Sequence, residues 1–237
     1  MTWLSGRVAI VTGASRGIGA AAAMAIARAG AHVVVGARTA RELDRVAEKI
    51  AAEGLLATAQ RCDVSSDAEV DALFGAAEAI GPPTVLVCAA AILERALIEE
   101  TTPGQWRHTI DVNLTGTFLC CRRAMASMRP GGGGRILTIA SLSGVYATEK
   151  FPGLAAYNVS KYGVVGLTEA IAVEGRNDKI SAVCISPGAV DTEMLRRAAP
   201  QLRPGLGPDD VGRLVVDLLN GEFDAMSGAN IPLFSNR

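Results

Sequence analysis

Short, uninterrupted runs of Val, Ile, Leu and Ala alternate with longer helix-like segments along the whole chain. Continuous apolar runs of this length are typical of strands that are buried on both faces. They predict strands at 7–12, 32–36, 56–62, 84–88, 135–140, 180–185 and 229–233. The segments between them predict helices at 17–29, 40–53, 67–79, 103–128, 153–175 and 208–220.

The alternation of strands and helices indicates the α/β class. We expect a doubly wound parallel sheet of about seven strands with helices on both faces. Pro232 falls in the last predicted strand, and proline is tolerated mainly at the edge of a sheet. The glycine run at 130–134 is too short to link two domains, and the sequence shows no internal repeat. Residues 1–237 are therefore predicted to form a single domain.

Composition and charge exclude several classes of protein. Hydrophobic residues make up 49% of the chain, which is too apolar for a disordered protein. The 23 Lys and Arg against 24 Asp and Glu give a net charge of −1, which gives no reason to expect a nucleic-acid partner. No apolar run reaches the roughly 18 residues that span a bilayer, and the first residues do not resemble a signal peptide. We expect neither a nucleic-acid nor a membrane partner.

Cysteine and histidine usage argues against disulfides and metal sites. The five cysteines are Cys62, Cys88, Cys120, Cys121 and Cys184. They are odd in number and show no CxxC spacing, which favours buried, reduced thiols in a cytoplasmic protein. The only histidines, His32 and His108, are far apart in the sequence. We therefore expect no metal and no histidine-based catalytic triad.

A glycine-rich segment follows the first predicted strand and opens the first predicted helix. Residues 12–19 read Thr-Gly-Ala-Ser-Arg-Gly-Ile-Gly. Glycines in such a turn let the backbone approach a pyrophosphate and direct helix N-terminal N–H groups at its negative charge. The spacing is G-x-x-x-G-x-G, not the general G-x-G-x-x-G. The candidate cofactor-binding residues here are Gly13, Ser15, Arg16, Gly17, Ile18 and Gly19.

The end of the second predicted strand bears on which nucleotide is bound. An acidic residue about 20 positions past the glycine loop would bind the 2′-hydroxyl of the ribose. The chain has Gly-Ala-Arg-Thr at 36–39 instead, without a carboxylate. Arg38, together with Arg16, can hold a 2′-phosphate by charge-assisted hydrogen bonds. We therefore predict NADP(H) in preference to NAD(H).

Tyr157 and Lys161 lie four residues apart in a predicted helix, so their side chains share one face. A nearby ammonium favours the phenolate, and so we expect Lys161 to lower the pKa of Tyr157. Such a tyrosine can donate a proton to a carbonyl oxygen during reduction, or accept one from an alcohol during oxidation. The pair is a candidate for acid–base chemistry.

Taken together, these motifs resemble the short-chain dehydrogenase/reductase family in its compact form, with a single Rossmann-type domain. The resemblance covers essentially the whole chain, and residues 12–19 match the family's TGxxxGxG loop. It implies that Asp63, followed by Val64, contacts adenine, and that Ala90 lies against the cofactor. It also implies that the nicotinamide is covered by the segment containing Pro187, Gly188, Val190 and Thr192.

The same resemblance implies roles for four catalytic residues. Tyr157 is the acid–base group, and Ser141 binds the substrate oxygen. Lys161 assists Tyr157 and binds the nicotinamide ribose, while Asn113 holds a water of the proton relay. The candidate cofactor residues and Ser141 all follow predicted strand ends, and ligands bind at that edge of an open α/β sheet.

The sequence departs from the family pattern at four places. Cys-Ala-Ala-Ala at 88–91 replaces the usual Asn-Asn-Ala-Gly, which predicts weaker local hydrogen bonding. The interval 142–156 is a few residues longer than usual and is expected to shape the substrate pocket. The segment 193–207, normally a lid, is short, and its arginines are expected to be solvated. The end of the chain, 232–237, lacks the common Asp-Gly-Gly.

The predicted activity is NADP(H)-dependent hydride transfer between a carbonyl and a secondary alcohol. A free small ketone, quinone or polyol is favoured as substrate, because the loop at 130–134 lacks the basic residues that would meet an acidic acyl carrier. A 3-oxoacyl thioester reductase of fatty-acid or polyketide type is the alternative. A sensor or scaffold that binds cofactor without turnover is the alternative from another class. The resemblance also implies a homo-oligomer, either a tetramer or a dimer.

Overall fold

A computed structural model describes residues 3–221 and 224–235. In these residues the chain forms seven strands and eight α-helices. The strands are β1 (Val8–Thr12), β2 (His32–Ala37), β3 (Ala57–Arg61), β4 (Pro83–Cys88), β5 (Gly134–Ile139), β6 (Ile180–Pro187) and β7 (Asn230–Leu233). The helices are α1 (Gly17–Arg28), α2 (Ala40–Ala52), α3 (Asp67–Glu78), α4 (Pro103–Ile110), α5 (Gly116–Met128), α6 (Ala155–Gly175), α7 (Glu193–Ala198) and α8 (Pro208–Leu218). Every predicted strand and helix is present, with ends shifted by a few residues.

All seven strands form one parallel sheet in the order β3-β2-β1-β4-β5-β6-β7. The order confirms the doubly wound α/β fold. The chain reverses direction across the sheet between β1 and β4, which is the point where open α/β sheets bind ligands. β7 is an edge strand, as Pro232 predicts.

Two hydrophobic cores lie on opposite faces of the sheet. One contains side chains of α1, α2 and α8, including Ile26, Leu43 and Val215. The other contains side chains of α3 and α5, including Phe74 and Met128. Both faces of β1 are covered, and all five of its residues are buried. This two-sided burial explains why the strands are continuous apolar runs.

The predicted helix at 103–128 contains a π-helical segment, Asp111–Thr115, between α4 and α5. One wide turn of this kind changes the direction of the side chains without ending the helix. Asn113 lies at its centre and is fully buried. The short helix α7 lies in a segment for which no helix was predicted. In the described part of the chain, none of the helices could cross a membrane.

Candidate active site

A cleft of about 980 Å³ runs along the carboxyl ends of the strands and brings the predicted site residues together. Asn113 is the one predicted site residue that does not line it. The predicted residues that do are Gly13, Ser15, Arg16, Gly17, Ile18, Gly19, Arg38, Asp63, Val64, Ala90, Ser141, Tyr157, Lys161, Pro187, Gly188, Val190 and Thr192. Their convergence on one edge of the sheet agrees with the sequence prediction.

The glycine loop packs so closely against the end of β4 that side chains would not fit. Gly13 has a φ of +64°, and a Cβ there would lie 2.6 Å from the Cα of Ala90. A Cβ on Gly19 would overlap the carbonyl oxygen of Gly13. Glycine is therefore required at both positions, since a real Cβ would displace backbone.

The first turn of α1 is suited to binding a phosphate group. Arg16, the N-cap residue, makes no side-chain capping bond, and the first turn contains no acidic residue. Gly17, Ile18 and Gly19 line the cleft. An α-helix leaves the backbone N–H groups of its first turn without intrahelical partners. A pyrophosphate satisfies such groups and the helix dipole together. The residues present thus fit the dinucleotide that the fold implies.

Asn113 links the π-helical segment to the chain that follows β4. Its Nδ2 donates to the carbonyl of Ile92 at 2.9 Å, and its Oδ1 accepts from the backbone N–H of Ile92 at 2.8 Å. Nδ2 also donates to Oγ of Ser160 at 3.1 Å. The Asn113 side chain therefore holds other segments in place, and its role in a water relay remains a prediction.

Tyr157 and Ser141 meet inside the cleft. Tyr157 is only 8% exposed. Burial raises the pKa of Tyr157, and a hydrogen bond with Ser141 opposes this effect without reversing it. Oγ of Ser141 also accepts from the backbone N–H of Ser143 at 3.1 Å, which fixes the serine side chain. The phenol is therefore protonated at neutral pH.

Lys161 is buried beside this pair. Its Nζ lies 5.6 Å from the centre of the Tyr157 ring and donates to the carbonyl of Ile139 at 2.8 Å. Burial lowers the pKa of Lys161 to about 8. The expected lowering of the Tyr157 pKa is not seen in the chain alone: burial raises that pKa, and the effect that opposes the rise comes from Ser141 and not from Lys161.

Arg38 and Asp63 lie at the ends of neighbouring strands. Arg38 follows β2 directly and is exposed in the cleft. Burial alone would raise the pKa of Asp63, but hydrogen bonds from Ser65 and the charges of Arg38 and His108 together lower it. Asp63 is therefore ionised at neutral pH, and Arg38 adds positive charge to the same part of the cleft.

An ion pair joins the glycine loop to the segment 193–207, the lid. Nη1 of Arg16 lies 3.0 Å from Oε2 of Glu193, in the first turn of α7. Thr192 caps that helix, since its Oγ1 accepts from the backbone N–H of Leu195 at 3.2 Å. Glu193 was not predicted, because nothing in the sequence places residue 193 beside residue 16.

The five cysteines are all buried and free, as the sequence predicts. Sγ of Cys88 lies 3.9 Å from Sγ of Cys121. Burial raises the pKa of the Cys62 thiol to about 12. Within residues 3–221 and 224–235, no cluster of three or more His, Cys, Asp or Glu side chains could hold a metal ion.

A sheet edge that suits a dinucleotide, with a buried tyrosine and lysine beside it, has the parts that a nicotinamide-dependent oxidoreductase needs. Comparison with known proteins makes this specific. A family model described as short chain dehydrogenase matches residues 7–203. The chain belongs to the short-chain dehydrogenase/reductase family, and it is an oxidoreductase of carbonyl and alcohol groups.

Individual relatives match along nearly the whole chain. An acetoacetyl-CoA reductase of Shinella zoogloeoides is 38% identical over 95% of each chain. The glycine betaine reductase ATRR of Emericella nidulans is 34% identical over 90% of this chain, which spans only 17% of that longer protein. A crystal structure of a short-chain type dehydrogenase/reductase from Mycobacterium marinum has a TM-score of 0.91 and 34% identity, and the match covers 97% of this chain and 94% of that chain.

Proposed function

We propose that the protein is an NADP(H)-dependent oxidoreductase that interconverts a carbonyl compound and a secondary alcohol, with Tyr157 as the acid–base group. The observation that carries the proposal is that Tyr157 and Lys161 are buried beside Ser141 in the cleft that also contains the glycine loop. The bound dinucleotide supplies or accepts the hydride. The glycine loop would hold its pyrophosphate, and Asp63 its adenosine.

The protein's own groups handle the proton and the substrate oxygen. Because burial raises the pKa of Tyr157, its phenol is protonated at neutral pH and can donate to a carbonyl oxygen. Ser141 hydrogen-bonds the same oxygen and orients it. Lys161 is largely protonated below its pKa of about 8, and in this proposal it binds the nicotinamide ribose.

Replacing Arg38 with Ala tests the preference for NADP(H). Arg38 is exposed at the end of β2, and the next acidic residue along the chain is Glu42, in the first turn of α2. Loss of a charge-assisted hydrogen bond to the 2′-phosphate should raise the KM for NADPH about tenfold or more. The KM for NADH should hardly change, and Arg45→Ala, which alters an exposed arginine outside the cleft, should affect neither. Equal effects of Arg38→Ala on both cofactors would refute the preference.

The experiment that tests the activity is a spectrophotometric scan of NADPH oxidation over a panel of carbonyl compounds, with NADH as the control. Oxidation that depends on a ketone supports the proposal. Cofactor binding without oxidation of any compound favours a sensor or scaffold instead. The intact arrangement of Ser141, Tyr157 and Lys161 favours the enzyme.

A 3-oxoacyl thioester reductase is the second candidate. It is favoured by the similarity to the acetoacetyl-CoA reductase of Shinella zoogloeoides. The uncharged segment 130–134 argues against an acidic acyl carrier protein as the partner. Adding acetoacetyl-CoA to the carbonyl panel separates this candidate from a reductase of free ketones.

Location and assembly complete the proposal. Five buried free thiols suit the reducing cytoplasm. Phe118 on α5 and Val159 on α6 are exposed apolar side chains, which supports association of this chain into a homo-oligomer, a dimer or tetramer. The chain end at 232–237 lacks the Asp-Gly-Gly common in the family, which puts one of the family's usual subunit contacts in question. Of these residues, Asn236 and Arg237 lie outside the described part of the chain.

A further inference from the structure

Two chain segments form the walls of the cleft beyond Ser141 and Tyr157. One is the long interval after β5, and the other is the lid with α7. The apolar side chains that line the cleft from these walls include Leu142, Val145, Phe151, Met194, Leu195 and Leu202, all of them half-buried. The half-buried part of the substrate end is therefore mainly hydrocarbon, whereas the polar side chains of Glu149 and Gln201 line the cleft from exposed positions.

Helix α7 covers this end of the cleft and contributes nothing to the protein core. None of its six residues is buried. Met194 and Leu195 line the cleft, whereas Arg197 points to solvent, with 75% of its side chain exposed. An amphipathic helix normally buries its apolar face against the core. The apolar side chains of α7 face the cleft instead, so a molecule bound in the cleft would bury them.

In the opposite wall, the long interval after β5, all three N–H donors of the Lys150 ammonium make hydrogen bonds. Its Nζ donates to the carbonyl of Leu142 at 3.1 Å, to the carbonyl of Val145 at 2.7 Å and to Oγ1 of Thr148 at 2.6 Å. An ammonium has three N–H donors, and each has an acceptor. Lys150 therefore fixes the shape of this wall, and its donors are not available to a substrate.

Two further polar side chains beside these walls, Thr148 and Arg95, are also held by hydrogen bonds. Oγ1 of Thr148 lies within hydrogen-bond distance of the carbonyls of Leu142 and Val145. Nη1 of Arg95 donates to the carbonyl of Ala198 at 2.6 Å and Nη2 to that of Pro152 at 3.0 Å, so Arg95 joins the two walls. A substrate hydroxyl placed against the half-buried apolar side chains would lose water without gaining a hydrogen-bond partner from them, which is unfavourable.

We infer that the substrate is an uncharged ketone whose body is an alicyclic or aromatic hydrocarbon, and that polyols are excluded. This inference rests on the proposed function and adds the substrate class to it. The ketone oxygen meets Ser141 and Tyr157, while the ring lies between Phe151 on one wall and Leu195 on the other. Burial of the ring against α7 provides the binding energy.

Three matched ketones test the substrate class: cyclohexanone, 4-methylcyclohexanone and 4-hydroxycyclohexanone, each assayed for kcat/KM with NADPH and with NADH. The added methyl group should raise kcat/KM about fourfold, because one more hydrocarbon group is buried. The hydroxyl group at the same position should lower it about tenfold relative to the methyl compound. Dihydroxyacetone, a small polyol ketone, should be turned over more slowly than all three.

Val145→Thr gives a second, nearly isosteric test, with Val173→Thr on the solvent side of α6 as its control. The added hydroxyl group of V145T should lower kcat/KM for 4-methylcyclohexanone several-fold. It should also reduce the ratio of kcat/KM for 4-methylcyclohexanone to that for 4-hydroxycyclohexanone. V173T should leave both the value and the ratio unchanged. Faster turnover of the hydroxylated ketones, or equal rates along the series, would overturn the inference and leave the proposed function intact. A lack of turnover with every ketone would overturn both.

Discussion

Replacing Tyr157 with Phe is expected to lower kcat for carbonyl reduction by at least about a hundredfold. The Tyr157 phenol is buried in the cleft and forms a hydrogen bond with Ser141. The substitution removes one oxygen and keeps the ring that packs there, so the fold should be retained. Initial rates of NADPH oxidation measure the loss, and quenching of NADPH fluorescence measures cofactor affinity, which should stay within about twofold because the glycine loop is untouched.

The matched control is Tyr162→Phe, the same chemical change on the same helix. The Tyr162 hydroxyl donates to the carbonyl of Val145 at 3.0 Å and lies outside the cleft. This variant should keep kcat within a few-fold of the wild type. Retained turnover in Y157F would sink the acid–base assignment, and equal losses in both variants would point to a structural effect.

Replacing Lys161 with Met is expected to change how stability depends on pH. In the folded chain Lys161 releases its proton near pH 8, whereas the unfolded chain keeps it up to about 10.5. Between these values the unfolded state binds more protons, and so the free energy of unfolding rises with pH. This contribution of Lys161 should amount to about 2 kcal/mol between pH 7 and pH 9.5. Buried cysteines act in the opposite direction, because their raised pKa values make folding less favourable as the pH rises towards 9.5.

Denaturant unfolding at a series of pH values measures this dependence. Because the cysteines are the same in both proteins, the difference in the free energy of unfolding between the wild type and K161M should increase by about 2 kcal/mol over this range. The difference between the wild type and Lys49→Met, at an exposed position on α2, should not depend on pH. Stopping at pH 9.5 avoids Tyr157, whose raised pKa acts in the opposite direction above pH 10. A difference between the wild type and K161M that stays constant from pH 7 to pH 9.5 would contradict the lowered pKa of Lys161.

The sheet and its binding edge could be predicted because the signals are local and repeated. The central strands β1, β2 and β4 are largely continuous apolar runs, and Gly13, Gly17 and Gly19 follow the first of them. The edge strands β3 and β7 are more polar and only partly buried. Once the strands are parallel, chain order alone brings Arg38, Asp63 and Ser141 to one edge. These predictions need no knowledge of which side chains touch.

Features that depend on distant contacts could not be predicted. The hydrogen bonds of Asn113 to Ile92 join residues 21 positions apart, and they accompany a π-helical turn that has no distinct sequence pattern. The spacing of Tyr157 and Lys161 is visible in the sequence, but the depth at which both are buried is not. That depth sets the direction of both pKa shifts. Helix α7 is too short for its periodicity to be recognised.

The complete burial of the cysteines has a practical consequence. All five lie inside the cores, and the pKa of Cys62 is raised to about 12. Because the thiolate is the reactive species, the native chain should react slowly with maleimides and other thiol reagents. A cysteine introduced at Arg197, on the solvent side of α7, would then be the preferred labelling site. A fluorophore there would report movements of the lid against an almost silent background.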